Sequence, residues 1–221
     1  MITDLLLEKA EKESHDIQNW GNYDQLYDWT WEGGRPCLIP KNKNTTASIL
    51  LRDWTIAEIL KNKGVTKVLD IGSDTGHFIA VLKYYGIEAI GIDANKKMCD
   101  VVISKGQNMC YNLGIETLIT LDLKEYDCIT CMNITQAKWA DETLKKNLIS
   151  WISKRASYSV LSDFTHQDRK WTELTKIHDF NLLPLYCSPI IVRIAKKLGI
   201  EHLISYTSIQ KLYRSKYLPK N

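Results

Sequence analysis

The sequence predicts a doubly wound α/β fold, a mostly parallel sheet of seven strands with helices on both faces. Two observations carry that expectation. From residue 67 onward, short apolar runs alternate with helical patterns of about ten residues, which calls for parallel strands covered on both sides. A glycine also closes each of three helical patterns, at Gly64, Gly86 and Gly106, where a left-handed residue can end a helix. A chain of 221 residues is long enough for one domain with a substantial core and too short for two comfortable ones.

Taken in order, residues 1–18 read as an amphipathic helix. Residues 19–46 read as irregular, because Gly21, Gly33, Gly34, Pro36 and Pro40 break every periodicity. Trp20, Tyr23, Tyr27, Trp29 and Trp31 crowd into that stretch, so 1–46 form an N-terminal helix and an aromatic-rich segment ahead of a domain spanning 47–221. Thr45 or Thr46 caps a helix over 47–62, with Leu50, Trp54, Ala57 and Leu60 on one face. Strands follow at 67–71 and 88–93, and helices at 77–85 and 95–105. A third strand lies within 107–121, where both NMCYNL and ETLITL fit. Residues 127–134 form the fourth strand, 139–155 a helix and 157–164 the fifth strand. Ser188 and Pro189 open a helix that Lys196, Lys197 and Gly199 close, and LISYTS and QKLYRS supply the last two strands.

Composition narrows the classes. A hydrophobic fraction of 44% with 25% charged residues excludes disorder as the main state. The net charge of +3 permits an anionic partner without demanding one, and there is no Lys/Arg run of the kind that marks a nucleic-acid patch. Acidic residues in MITDLLLEKAEKES argue against a signal or transit peptide, and no apolar stretch approaches a membrane span. Six scattered cysteines (37, 99, 110, 128, 131, 187) suit reduced thiols, so a soluble cytoplasmic protein is expected. Cys128 and Cys131 form a CxxC within a buried strand, where positions three apart point to opposite faces; they read as small hydrophobes, not as metal ligands. Nothing in the sequence sets an oligomeric state.

Chemistry concentrates in residues 68–78, VLDIGSDTGHF. A strand ends there in a glycine-bearing turn that opens a helix, as in a dinucleotide fold, but Gly72-Ser73-Asp74-Thr75-Gly76 lacks the middle glycine of GxGxxG. A carboxylate about 5 Å from a phosphate charge would cost about 3 kcal/mol at an effective dielectric near 20. S-adenosylmethionine carries no phosphate. Its sulfonium and ammonium suit Asp70 and Asp74, and amides at the helix start can receive its carboxylate. Asp93, at the end of the next strand, can accept both ribose hydroxyls, although a nicotinamide dinucleotide offers the same diol. Gly72 and Gly76 can also serve only a tight turn, and Asp74 or Thr75 can cap the following helix.

VLDIGSDTGHF followed by AIGIDAN resembles the first two motifs of class I S-adenosylmethionine-dependent methyltransferases, whose fold is Rossmann-like; the likeness covers residues 47–166. The resemblance implies that Asp70, Gly72 and Gly76 line the methionine end, that Asp93 binds the ribose, and that the aromatic-rich segment ahead of the domain is an acceptor lid; Ser73, Asp74 and Ala94 beside them are further candidate cofactor contacts. Asp74, in place of the family's usual middle glycine, is the main departure. Adenine contacts are implied for Asn112 and Leu113 if NMCYNL is the third strand, or for Asp122 if ETLITL is, together with Met132 and Asn133 after the fourth. Core packing or turn formation are the competing readings of these positions.

Methyl transfer to a hydroxyl also needs a proton removed. His166, in SDFTHQD past the fifth strand, is the candidate base, with Asp163 or Asp168 to orient its ring. A surface histidine is the plain alternative, and His77 is expected to pack against cofactor or solvent. Asn133-Ile134-Thr135-Gln136 lacks the prolines of base-modifying amino-methyltransferases, and Cys37 is far from where a cytosine-C5 nucleophile belongs. Asp163 and Asp168 without a third carboxylate give no support to a divalent metal. Trp29, Trp31, Glu32 and Arg35 are the candidate acceptor contacts, equally readable as a satellite core, and suit a sugar or planar small molecule. The expectation is therefore O-methylation of a small-molecule or sugar hydroxyl, yielding S-adenosylhomocysteine. Nucleic-acid or protein methylation, a nicotinamide-dependent reductase and a non-catalytic S-adenosylmethionine-binding module are the alternatives, and the tail is locally basic at Lys211, Arg214, Lys216 and Lys220.

Overall fold

The computed structural model describes residues 28–39, 43–107, 110–123, 126–132, 142–162, 171–178 and 209–215. The expected helices over 1–18 and after Ser188 lie outside those residues, as does the strand at LISYTS.

The first elements differ from the expectation of an irregular segment. Strands β1 (Asp28–Glu32) and β2 (Arg35–Ile39) form an antiparallel hairpin. Gly33 and Gly34 connect them with φ of +56° and +78°, the pair of positive values that a two-residue hairpin turn requires. The glycines that suggested irregularity are the turn itself. Helix α1 (Lys43–Asn62) starts four residues early, so Thr45 and Thr46 lie inside its first turn and do not cap it.

The central sheet then builds as expected. Its parallel strands are β3 (Lys67–Ile71), β4 (Glu88–Asp93), β5 (Cys110–Asn112), β6 (Cys128–Cys131) and β7 (Tyr158–Ser162). Helices α2 (His77–Tyr84), α3 (Lys96–Ser104), α4 (Ile115–Leu118) and α5 (Glu142–Ser153) connect them. The third strand comes from NMCYNL, since part of ETLITL forms α4. Two more strands, β8 (Trp171–His178) and β9 (Ile209–Ser215), give the order β5-β4-β3-β6-β7-β9-β8, with both β9 pairings antiparallel. β8 is absent from the sequence reading. A register shift between Glu173 and Thr175 breaks the two-residue alternation by which a strand is recognised.

Period-two alternation divides the core between the sheet's faces. Leu69, Ile71, Ile90, Ile92, Ile129 and Cys131 pack with α4 and α5 through Leu118, Leu148, Ile149 and Ile152. Val68, Ala89, Cys128 and Val160 pack with α1, α2 and α3 through Ile56, Leu60, Phe78, Ile79 and Val102. Cys128 and Cys131 fall in different clusters, as spacing by three on a strand demands. Burial pushes both thiols up, Cys131 to about 12, so they stay protonated and behave as small apolar groups. Among the described residues no helix is long and apolar enough to cross a membrane, and no group of His, Cys, Asp and Glu could hold a metal ion.

Candidate active site

β3 and β4 are adjacent parallel strands, and their C-terminal ends carry Asp70 and Asp93 into the region of the connecting loops. Ligands of open α/β sheets bind at that edge. Between β3 and α2 the chain turns through Gly72 (φ +75°), Asp74 (φ +48°) and Gly76 (φ +78°). The Gly72 and Ser73 amides donate to the Ile92 carbonyl at 2.7 and 3.2 Å, which ties the loop to β4. A Cβ at Gly76 would come within 2.7 Å of Val102 Cγ2, so this glycine is demanded by space as well as by φ. Gly76 is also the N-cap residue of α2, and Thr75 Oγ1, without a partner, does not cap that end.

Asp74 is the described non-glycine residue with positive φ. It occupies the left-handed conformation the absent glycine would have taken, one that aspartate tolerates better than most residues but glycine tolerates best. Asp74→Gly is therefore expected to raise stability by about 0.5–1 kcal/mol, measurable by urea unfolding. The same change should weaken S-adenosylmethionine more than its uncharged-sulfur product, read by calorimetry with both ligands. Equal loss for the two would leave Asp74 no part in holding the cation.

Asp93 ties two loops together. Its Oδ2 accepts the Asp74 amide at 3.0 Å and its Oδ1 the Asn95 amide at 2.8 Å, so one carboxylate fixes the loops after β3 and β4. Burial pushes its carboxyl up to about 6 against the pull of those two amides. Asn112, at the end of β5, donates through Nδ2 to the carbonyls of Asp93 (3.0 Å) and Ala94 (2.9 Å). Leu113 and Met132 are buried in opposite core clusters. Asp122 is exposed and lies 3.4 Å from Arg155 Nη2. Asn133, Asp163 and His166 lie outside the described residues.

Asp70 lies on the sheet face covered by α1 and α2, being two residues from Val68. Thr130, on the neighbouring strand β6, donates to Asp70 Oδ1 at 2.6 Å. Burial pushes the Asp70 carboxyl up to about 7, despite that hydrogen bond. Behind it stands a cluster that the sequence reading missed. Arg52 binds Asp53 Oδ1 through Nε (2.8 Å) and Nη2 (2.7 Å), and His77 Nδ1 meets Asp53 Oδ2 at 2.7 Å. Burial alone would raise the Asp53 carboxyl, but Arg52 and His77 more than offset it and hold it low. The signal was in the sequence: Asp53 shares one helical stripe with Ile56, Ala57 and Leu60, and a charge on a buried stripe needs partners.

Three buried side-chain atoms around these loops have no partner in the protein: Thr75 Oγ1, His77 Nε2 and Asn112 Oδ1. Buried polar atoms are nearly always paired, so unpaired ones gathered at the ligand edge fit a group brought in from outside. Asn112 Oδ1 suits an amino or hydroxyl hydrogen of a nucleoside, while Asp70 and Asp93 suit a cation and a diol.

The hairpin sets the candidate acceptor contacts against neighbouring elements of the fold. Trp29 is 0% exposed. Trp31 Nε1 bonds the Lys105 carbonyl at the C-cap of α3, and Arg35 stacks 5.8 Å from the ring of Tyr84, the last residue of α2. These helices start at the ligand edge and run away from it, so their C-terminal ends mark the opposite edge of the sheet. Trp31 thus meets the C-terminal end of α3, and Arg35 lies over the Trp54 ring of α1 at 4.7 Å as well as beside Tyr84.

No protein-family model matches the chain, and no curated protein matches its sequence. Solved structures do match in shape. Magnesium protoporphyrin IX methyltransferase from Synechocystis PCC 6803, with bound S-adenosylmethionine, superposes with a TM-score of 0.56 at 16% identity, over 78% of this chain and 83% of that one. A SAM-dependent methyltransferase from Archaeoglobus fulgidus gives 0.50 at 21% identity, over 79% and 97%. The O-methyltransferase of a Brevibacillus brevis polyketide synthase, with bound S-adenosylhomocysteine, gives 0.50 at 13% identity, over 80% and 75%. The chain has the Rossmann-like fold of class I S-adenosylmethionine-dependent methyltransferases.

Proposed function

We propose that this protein is an S-adenosylmethionine-dependent methyltransferase whose acceptor is a hydroxyl on a sugar or other small molecule. The observation that carries the reading is the pair of carboxylates, Asp70 and Asp93, at adjacent strand ends beside a loop in which Asp74 stands where a pyrophosphate would need a glycine. The fold agrees, and one structure of similar shape is named an O-methyltransferase. When bound, S-adenosylmethionine supplies an electrophilic methyl group on a sulfonium. Asp70 and Asp74 supply negative charge toward its cationic end, Asp93 accepts the ribose hydroxyls, and Asn112 Oδ1 accepts a hydrogen from the nucleoside. Displacement at the methyl is in-line, so holding the acceptor supplies much of the rate. His166, oriented by Asp163, takes the hydroxyl proton in this scheme.

Calorimetry of the purified chain against S-adenosylhomocysteine and NADH tests the cofactor. Binding of the first alone is expected; binding of NADH alone would make the protein a reductase. For the chemistry, His166→Ala is expected to lower turnover at least a hundredfold and leave S-adenosylhomocysteine affinity unchanged. Tight binding with no turnover on sugars, phenols, nucleic acids or peptides would make the chain a binding module.

A further inference from the structure

The N-terminal hairpin reaches the candidate cofactor loop from behind. Trp29 Nε1 donates to the Thr75 carbonyl at 2.7 Å, a buried bond across 46 residues of sequence. The indole is 0% exposed and meets the His77 ring edge-on, with centroids 6.2 Å apart. His77 is in turn fixed by Asp53 at 2.7 Å. On its other side the hairpin is fastened to α3, where Lys105 Nζ reaches Asp28 Oδ1 at 2.7 Å and the Trp29 carbonyl, and lies 5.2 Å from the Trp29 ring centroid. The bond thus arrives at Thr75, between Asp74 (φ +48°) and Gly76 (φ +78°), the two residues that hold the loop in its left-handed turn. Thr75 Oγ1 has no partner, and the Thr75 carbonyl is held by the indole of Trp29.

We propose that Trp29 is a positioning residue for the cofactor loop: its indole N–H pins the Thr75 carbonyl and so sets where the loop presents its amides and Asp74. The inference rests on the methyltransferase reading for its consequence, and on geometry alone for the pinning. The hairpin then acts on the cofactor loop. It is a back-stop that pre-arranges the ligand edge, where ordering the loop beforehand raises affinity by lowering the cost of binding.

Trp29→Phe keeps an aromatic ring, though a smaller one, and deletes the donor. Trp151→Phe is the matched control, because Trp151 Nε1 donates to the Leu121 carbonyl at 2.9 Å in a buried bond on the other face of the sheet. Both variants should lose a similar part of their stability. Only Trp29→Phe should weaken S-adenosylhomocysteine, by about five- to tenfold, the worth of one buried hydrogen bond, and raise KM for S-adenosylmethionine with little change in kcat. Equal loss of affinity in both variants, or none in Trp29→Phe, would overturn the proposal. Hydrogen exchange without ligand gives a second reading: the amides of residues 74–76 should exchange faster in Trp29→Phe than in the parent. If the parent binds neither methyl donor nor product, the functional reading fails, and the exchange comparison still decides whether Trp29 pins the loop. Should Trp29→Phe fail to fold, Lys105→Met loosens the hairpin with the indole intact and should show the same faster exchange; unchanged exchange there would sink the idea.

Discussion

Asp70→Asn is expected to strip the protein of most of its affinity for S-adenosylmethionine and, in the absence of ligand, to raise its melting temperature at pH 8. Both effects come from one buried carboxyl. Asp70 is 2% exposed and receives the Thr130 hydroxyl, yet burial pushes its carboxyl up to about 7 from an ordinary 3.8. Between those values the folded chain holds a proton that the unfolded chain has released. Stability from this group is therefore complete below about pH 4, withdrawn as pH rises, and gone above about pH 7. At about 1.4 kcal/mol per pH unit the span corresponds to a limit on the order of 4 kcal/mol. Asparagine removes the ionisation and keeps an oxygen for Thr130, so the gain at pH 8 should be a sizeable part of that limit. At about 2–4 °C per kcal/mol for a chain of this size, the shift is measurable by thermal scans at pH 5 and pH 8, and the curve between them should flatten. The ligand effect runs the other way: a charge-assisted contact is worth about 1.5–3 kcal/mol, so affinity should fall roughly ten- to hundredfold. In the parent, affinity for the cationic ligand should rise with pH and level off above about pH 7, because binding favours the ionised carboxylate. An affinity independent of pH from 5 to 8 would detach Asp70 from the cation.

Gly91→Ala should damage fold and site together. A Cβ at Gly91 would lie 2.5 Å from Ile79 Cδ1, 2.6 Å from Ser73 Oγ and 2.8 Å from Ser73 Cβ. The Ile79 methyl can rotate aside, and the Ser73 hydroxyl can turn. Ser73 Cβ is fixed to the loop backbone, so relief has to come from moving the loop. Overpacking of this kind costs about 1–3 kcal/mol, and displacement of Ser73 carries Asp74 with it. The expected result is a lower urea midpoint together with at least tenfold weaker S-adenosylhomocysteine. Gly106→Ala is the comparison: its φ of +76° makes alanine strained, but nothing lies within 4 Å of the added carbon. That variant should lose stability, about 1 kcal/mol, and bind ligand as the parent does.

The parts of this architecture visible in the sequence are those written in one-dimensional patterns. Parallel strands buried on both faces leave apolar runs, and glycines with positive φ mark the ends of α1, α2 and α3, so β3 to β7 stand close to where they were expected. Asp70 and Asp93 were legible because strand ends are positions the pattern defines. What escaped depends on partners distant in sequence. Gly91 reads as one more residue in AIGID until Ser73 and Ile79 are packed against it. Thr130 is an ordinary β-branched strand residue until β6 is set beside β3. The aromatics at 29 and 31 suggested an open lid because a crowd of tryptophans looks the same whether it faces ligand or helix. The pairing across Gly33 and Gly34, with Lys105 and Thr75 as distant partners, is not written in the local pattern.

The strand order β7-β9-β8 has a consequence for the growing chain. β8 precedes β9 in sequence, yet its bonds to the sheet pass through β9, which fills the gap between β8 and β7. A ribosome-bound chain that has released residues 171–178 but not 209–215 therefore holds an unpaired strand beside an open sheet edge. Exposed edges invite pairing with other chains. Pairing of β8 with this sheet waits for β9, and until β9 arrives the β7 edge is open to such contacts.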